Sequence, residues 1–445
     1  MERSLDEKSP EATASRDALE APGHEVSPSD IAVGVIIGRT SEFFDFFVFA
    51  IAAVIVFPAR LFPFLSPLEG VLASFGLLAL AFVVRPLGTV AFTLLDRRLG
   101  RLPKLTLALF LLGVSTVGMG LVPGFDSAGW WAVAAIAVLR IGQGLAVGGA
   151  WDGLAPLLSV SAGRRRRGFY AMVPQLGAPI GLAIATLVFA YLLAHVSEAD
   201  FLDWGWRYPF FVAFSLNVVA LFARLRIVAA PEIAELLDRN ELAPSGLRQT
   251  LAEDGRKIVL AVFVPLGTFA MFHMVTIFPL SWVFLYTDRT LEDFLVNEAA
   301  GSVLLLATMV AGGLLADRMG RKRILGISAA AIALFAILAP VLLAAGREGE
   351  LVYMLVGFAI LGFGLAVSSG AVADIFAQRN RYTASALVSS LSWMFGAGFA
   401  PVTALFLSNW LGLWAAGLYL LSGAVATLVA LLLVRGQGQG MREEV

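Results

Sequence analysis

The feature that most constrains this chain is a succession of twelve apolar stretches, each long enough to cross a bilayer. A helix needs about 20 mostly apolar residues to span the hydrocarbon. Such stretches run at roughly 31–57, 70–95, 103–123, 130–159, 168–195, 208–228, 257–287, 292–316, 322–345, 351–377, 382–408 and 412–434. Inside lipid every backbone polar group must be satisfied by the protein, so only helices and closed barrels cross. Barrel strands read as ~10-residue alternating segments, and nothing here alternates in that way. The pattern predicts an all-α polytopic membrane protein. Composition agrees: 59% of the 445 residues are hydrophobic and only 15% are charged, where soluble domains carry about 25% charged residues. This balance excludes an ordinary soluble enzyme, a disordered chain and a nucleic-acid binder.

The joints between the stretches sort by charge. One set of loops holds twenty Lys and Arg residues, among them Arg97, Arg98, Arg101, Lys104, the run Arg164–Arg167, Arg318, Arg321, Lys322 and Arg323. The opposite set holds four, Arg60, Arg207, Arg289 and Arg347. Basic loops stay on the cytoplasmic side, so both termini are expected inside. Residues 1–30 are polar and acidic, with Pro10, Pro22 and Pro28, and read as a disordered cytoplasmic tail. They lack the basic-then-apolar build of a cleaved signal peptide. Residues 435–445 read as a second tail.

Cysteine is absent, and the histidines, His24, His195 and His273, are far apart. That excludes a disulfide framework and a cysteine nucleophile, and it speaks against a metal cluster. No Gly-x-x-x-x-Gly-Lys loop is present, so an ATP-driven pump is unsupported. No cofactor is expected.

The longest loop, 229–256, divides the stretches into halves at 31–228 and 257–434. Two loops at corresponding places are alike. Thr93-Leu94-Leu95-Asp96-Arg97-Arg98-Leu99-Gly100-Arg101 aligns with Gly313-Leu314-Leu315-Ala316-Asp317-Arg318-Met319-Gly320-Arg321 at an offset of 220 residues. Two six-helix halves related by duplication are a transporter architecture, with solute sites between the halves near the midplane.

Gly313-x-x-x-Asp317-Arg318-x-Gly320-Arg321-Lys322 resembles the loop signature of the major facilitator superfamily. Further motifs resemble its metabolite:proton symporter branch. They are Glu42-Phe43-Phe44-Asp45-Phe46, Arg85-Pro86-Leu87-Gly88, Arg140-Ile141-Gly142-Gln143-Gly144 and Arg167-Gly168-Phe169-Tyr170 with Gln175 and Gly177. Trp204-Gly205-Trp206-Arg207 and Arg381-Tyr382-Thr383 complete the series. The resemblance covers nearly the whole membrane part. It implies the major facilitator fold, alternating access, and symport of a proton with a small organic acid or a zwitterion such as a betaine. The chain also departs from the family pattern. Asp96-Arg97 stands where the family has Gly-Asp, Thr93 replaces a glycine, and Gly148-Gly149-Ala150 replaces Gly-Gly-Glu, with Asp152 two residues on. Asp152 either stands in for that glutamate or caps the helix end. A solute sensor on the transporter fold, or a uniporter or exporter without proton coupling, is the competing reading.

Ionisable residues within spans are costly and face cavities or partners. Arg39, Glu42 and Asp45 are spaced by three and share one helical face. Asp45 and Glu42 are the candidates for proton coupling; the alternative is an ion network, Arg39 with Glu42, that orders the helix. Arg140 can hold a substrate carboxylate through two parallel hydrogen bonds or serve as counterion to Glu42 or Asp45. Gln143 lies one turn away and adds a neutral contact. His273, with an unperturbed pKa of about 6.5, is either a proton or substrate contact or a packed core residue. Asn297 and Glu298 are expected in an outer vestibule, and Asp374 beside Arg379 or Arg381. Asp96, Arg97, Arg98, Arg101, Asp317, Arg318 and Arg321 read as a gate. In it, Asp317 accepts from helix N-termini or pairs with Arg318 and Arg321, and Asp96 rebuilds a weaker lock. The expected partners are a small-molecule substrate, a proton and the lipid bilayer; no nucleic acid and no obligate protein partner is indicated.

Overall fold

The computed structural model describes residues 28–150, 158, 166–229, 235 and 244–443. Most of the expected N-terminal tail, Asp152, Arg164 and Arg165 lie outside the described residues. Among the described residues, twelve long helical segments form the frame. α1 is Pro28–Ile55, α2 Pro67–Leu99, α3 Arg101–Leu121 and α4 Trp130–Gly149. α5 runs Arg167–His195 with a 3-10 turn at Val173–Leu176, and α6 is Tyr208–Val228. α7 runs Leu247–Tyr286 and is interrupted at Val264 and Pro265. α8 is Leu291–Met319, α9 Arg321–Ala344 and α10 Gly346–Ala373. α11 runs Gln378–Leu411 through a π-helical turn at Met394–Gly398, and α12 is Trp414–Glu443. No strand occurs among the described residues.

Eleven of these segments are long and apolar enough to cross a membrane. α1 matches them in length but carries Arg39, Glu42 and Asp45 within it. Large apolar side chains such as Leu87, Phe110, Val138, Phe222, Leu334 and Leu432 are exposed around the outside, a surface that fits lipid and not water.

Helix ends depart from the apolar windows where polar turns remain helical. α7 begins at Leu247, inside the expected linker, because its first turns are amphipathic. Thr250, Asp254 and Ile258 are buried on one face, while Leu251 and Glu253 are exposed. α12 continues to Glu443, past the apolar window that closes at 434. The α2 N-terminus is closed by a capping box between Ser66 and Glu69, which satisfies two otherwise unpaired amides.

The repeat is written into the backbone. Gly100 separates α2 from α3 with φ +87°, and Gly320 separates α8 from α9 with φ +85°. Their amides bond the Asp96 and Ala316 carbonyls at 2.9 and 3.0 Å. Only glycine takes such a φ without steric cost, and the two positions differ by the same 220.

Each half is knitted by small-residue contacts. On α4, Gly144 packs against Ala81 and Gly148 against the Arg85 carbonyl; on α2, Gly88 packs against Leu145. In the second half, Gly301 of α8 meets Phe358 of α10 and Gly362 of α10 meets Thr308 of α8. Such pairs allow close backbone approach, the main source of helix association in lipid. The halves meet along α1–α7, α2–α11 and α5–α8. Phe47 to Val54 of α1 have no exposed surface, so this helix forms the centre of the bundle.

Candidate functional site

α1 brings its three charges to a polar cluster inside the first half. Arg39 ion-pairs with Glu42, and Arg224 of α6 lies 2.7 Å from the other Glu42 oxygen. Asp45, one turn on, is 1% exposed. It accepts hydrogen bonds from Thr116 of α3 at 2.5 Å, Gln143 of α4 at 2.6 Å and Asn217 of α6 at 3.1 Å. Ser41 donates to the Asn217 side-chain oxygen at 2.6 Å and holds that amide in register. Three helices thus converge on one carboxyl group through neutral donors, and no ion pair to Asp45 occurs among the described residues.

Arg140 donates to the Gln143 side-chain oxygen and to the Leu78 carbonyl, the latter at 3.3 Å. Its guanidinium lies 4.0 Å from the ring centre of Phe49 and 5.6 Å from that of Phe46. Gln143 therefore links Arg140 to Asp45. Arg140, expected as a carboxylate anchor or as a counterion to Glu42 or Asp45, forms no ion pair with either among the described residues, and its connection to Asp45 runs through the Gln143 amide.

These residues line a partly open cavity of about 60 Å³, several times the roughly 10–15 Å³ that a single water needs on the same measure. Its polar wall comes from Arg39, Glu42, Asp45, Arg85, Arg140 and Gln143, all in the first half. Its aromatic wall includes Phe43, Phe46 and Phe82 of the first half and Trp393 of α11 in the second. His273 of α7 lies behind that wall. It has no exposed surface, and neither ring nitrogen has a hydrogen-bond partner. Its ring centre is 5.0 Å from Phe46, 5.2 Å from Phe272 and 5.8 Å from Phe82.

The Arg-rich end of the bundle carries the candidate gate. Asp317 accepts from the backbone amides of Gly168 and Phe169, at 2.6 and 3.4 Å, across the halves. Arg321 reaches the Arg167 carbonyl at 2.8 Å and pairs with Asp374 at 3.0 Å. Asp374 was expected beside Arg379 or Arg381. Instead the kink after α10 turns it toward α9, and Arg379 ion-pairs with Glu253 of α7. Asp96 lies 3.4 Å from Lys104 and 3.3 Å from the Tyr382 hydroxyl of α11. Arg101 stacks over the Tyr382 ring at 5.9 Å. Arg97 lines a surface recess beside Gly246, and Arg98 and Arg318 are exposed.

Several participants carried little sequence signal. Thr116 looks like any span threonine, and Arg224 sits at a span end among topogenic charges. Asn217 is an amide inside an apolar stretch and was findable by the rule that spans tolerate polar groups only with partners. Glu298, expected in a vestibule, is 1% exposed, and neither carboxyl oxygen has a hydrogen-bond partner.

A bundle of two six-helix halves with a buried polar site at their seam defines a membrane transporter of the major facilitator fold. The sugar (and other) transporter family matches the chain at residues 31–249 and 230–435, and the chain belongs to that family. The inner membrane metabolite transport protein YhjE of Escherichia coli is 34% identical over 415 residues, covering 92% of this chain and 94% of that one. The shikimate transporter of the same organism is 29% identical, covering 91% of this chain and 94% of its own. The Escherichia coli proline/betaine transporter is 27% identical, covering 83% and 76%. The crystal structure of a D-xylose-proton symporter superposes with a TM-score of 0.67 at 18% identity, covering 89% of this chain and 96% of that one. The protein is a multi-pass membrane transporter of this family, similar to metabolite transport proteins, and it is not an enzyme.

Proposed function

We propose that this protein is a proton symporter for a small organic acid or zwitterion, working by alternating access, with both termini in the cytoplasm. Residues 31–228 and 257–434 are the rocking halves, and the segment 229–256 joins them. The observation that carries the reading is the setting of Asp45. Its partners are a hydroxyl and two amides. The Thr116 hydroxyl can donate to a carboxylate or, rotated, accept from a carboxylic acid. The shell therefore accommodates both protonation states without moving a helix. Glu42, the second candidate, is clamped by Arg39 and Arg224 and serves mainly to order the cluster. Solute enters the cavity when the halves part. The shikimate and proline/betaine relatives support a carboxylate-bearing solute.

The test is uptake into proteoliposomes under an imposed pH gradient, with radiolabelled shikimate, proline and glycine betaine as probes. The expected result is accumulation above equilibrium that a protonophore abolishes. Asp45→Asn should lose accumulation and keep counterflow exchange. Binding without gradient-driven uptake would sink the symport reading, and unchanged accumulation in Asp45→Asn would remove Asp45 from it.

A further inference from the structure

We propose that Arg85 is the anchor for the solute's carboxylate, poised at the seam of the two halves with Trp393 as its lid; this rests on the transport reading above. Arg85 sits in the interior of α2, and its side chain lines the cavity. Its buried Nε has no hydrogen-bond partner, which is equally true of Arg39, Arg140 and Arg224; unlike theirs, the rest of its guanidinium has no ion pair or hydrogen bond among the described residues. Its charged neighbours are Arg39 and Glu42. The other guanidinium groups of the cluster are engaged. Arg39 and Arg224 share Glu42, and Arg140 bonds Gln143 and Leu78.

Four guanidinium groups, Arg39, Arg85, Arg140 and Arg224, thus stand against two carboxyl groups, Glu42 and Asp45. The site lacks anionic charge: neither Arg85 nor Arg140 has an ion pair among the described residues, and of the two only Arg140 has neutral hydrogen-bond partners, Gln143 and Leu78. Arg85 is half-buried, and its neighbouring carboxyl, Glu42, is already shared by Arg39 and Arg224; a partly desolvated cation with no carboxylate of its own is costly, and such a violation is expected where a ligand supplies the missing partner. A guanidinium receives a carboxylate through two parallel charge-assisted hydrogen bonds.

The position is rigid. Gly148 of α4 packs directly on the Arg85 carbonyl, and the Thr89 hydroxyl lies 3.2 Å from that carbonyl and 3.3 Å from the carbonyl of Gly148. α2 and α4 therefore present Arg85 as one body, which lowers the ordering cost of binding. Across the seam, the guanidinium lies 5.8 Å from the Trp393 ring centre. Trp393 belongs to the other half, so parting the halves uncovers Arg85 and closing them stacks the indole over the bound carboxylate's partner. The solute is then an organic anion or zwitterion, with its apolar body against Phe43, Phe82 and Trp393.

The experiment is equilibrium binding to the purified full-length chain with four probes, shikimate, benzoate, succinate and glycine betaine. It compares wild type, Arg85→Gln and Arg85→Lys, with thermal midpoints recorded for each. Wild type should bind at least one probe. Arg85→Gln should weaken that binding by roughly 10- to 100-fold, the range for hydrogen bonds to a charged group. Arg85→Lys should recover part of it, and neither variant should lower the thermal midpoint. Equal affinity in wild type and Arg85→Gln overturns the role of Arg85 alone. A lowered thermal midpoint in Arg85→Gln, with affinity that Arg85→Lys does not recover, assigns Arg85 to structure and also overturns it. Failure of wild type to bind any of the four probes overturns the carboxylate-solute reading itself.

Discussion

The carboxylate of Asp317, at the end of α8, accepts a hydrogen bond from the backbone amide of Gly168, 2.6 Å away at the start of α5 in the other half. A helix N-terminus offers unpaired amides and a positive dipole end, so an anion there is doubly favoured. At the position related by 220 residues the chain has Arg97, and the acid one residue earlier, Asp96, meets Lys104 and Tyr382. The contacts between halves at the Arg-rich end are therefore unequal in kind: one acid caps a helix, the other joins a buried side-chain cluster.

Asp317→Asn should shift the protein toward the state open at this end. The loss of a charge-assisted bond is worth about 1.5–3 kcal/mol. The chain has no cysteine, so a single Met172→Cys, buried against Gly313 of the other half, reports opening through its rate of labelling by a water-soluble thiol reagent. The rate should rise about tenfold or more in Asp317→Asn. An unchanged rate would show that the cap does not hold the halves.

Asp96→Asn should raise the same labelling rate, and so should Tyr382→Phe, which removes a hydroxyl that donates to Asp96 and accepts from Lys104, where a hydrogen bond to a charged group is worth about 1.5–3 kcal/mol. If Asp96→Asn has no effect while Asp317→Asn does, the displaced acid is not a lock.

Glu42→Gln should destabilise the first half strongly. It leaves Arg39 and Arg224 without the carboxylate they share, and removing one partner of a buried pair costs about 3–5 kcal/mol. Asp45→Asn retains an oxygen for Thr116 or Gln143 and should cost under about 1.5 kcal/mol. Thermal midpoints of the purified proteins compare the two; a larger drop for Asp45→Asn would reverse the assignment of structural and coupling roles.

Gly148→Val should abolish folded protein in the membrane. A Cβ there would lie 2.3 Å from the Arg85 carbonyl oxygen, a backbone atom that cannot swing away. Gly76→Ala, where a Cβ meets nothing within 4 Å, should be neutral or stabilising by up to about 1 kcal/mol. Detergent-extracted yield and size-exclusion profile separate them.

His273→Phe should raise the thermal midpoint and lower transport. The substitution keeps an aromatic ring among Phe46, Phe82 and Phe272 and removes two buried nitrogens that have no partner, each a cost of about 1–3 kcal/mol. Unchanged uptake with a raised midpoint would assign His273 to packing alone.

Much of this was legible along the chain. Span count, the two-half repeat and the placement of Arg39, Glu42 and Asp45 on one face follow from hydropathy and spacing, which are local properties. The start of α7 was not, because an amphipathic polar turn is invisible to an apolar window. The polar anchoring at the start of α11 was not either. There Asn380 bonds Glu253 and Asp254, each at 2.8 Å, and Glu253 lies in the stretch that reads as linker.

The order of apolar stretches alone was enough to specify a twelve-helix membrane bundle, because a bilayer admits few other ways to satisfy so many backbone groups. The pairing of its buried charges was settled in three dimensions. Glu42 meets Arg224 from a distant helix, Asp45 collects donors from α3, α4 and α6, and Arg85 is left facing Trp393. Those partnerships depend on how far each helix rotates and how closely glycines let the backbones approach, and hydropathy carries neither quantity.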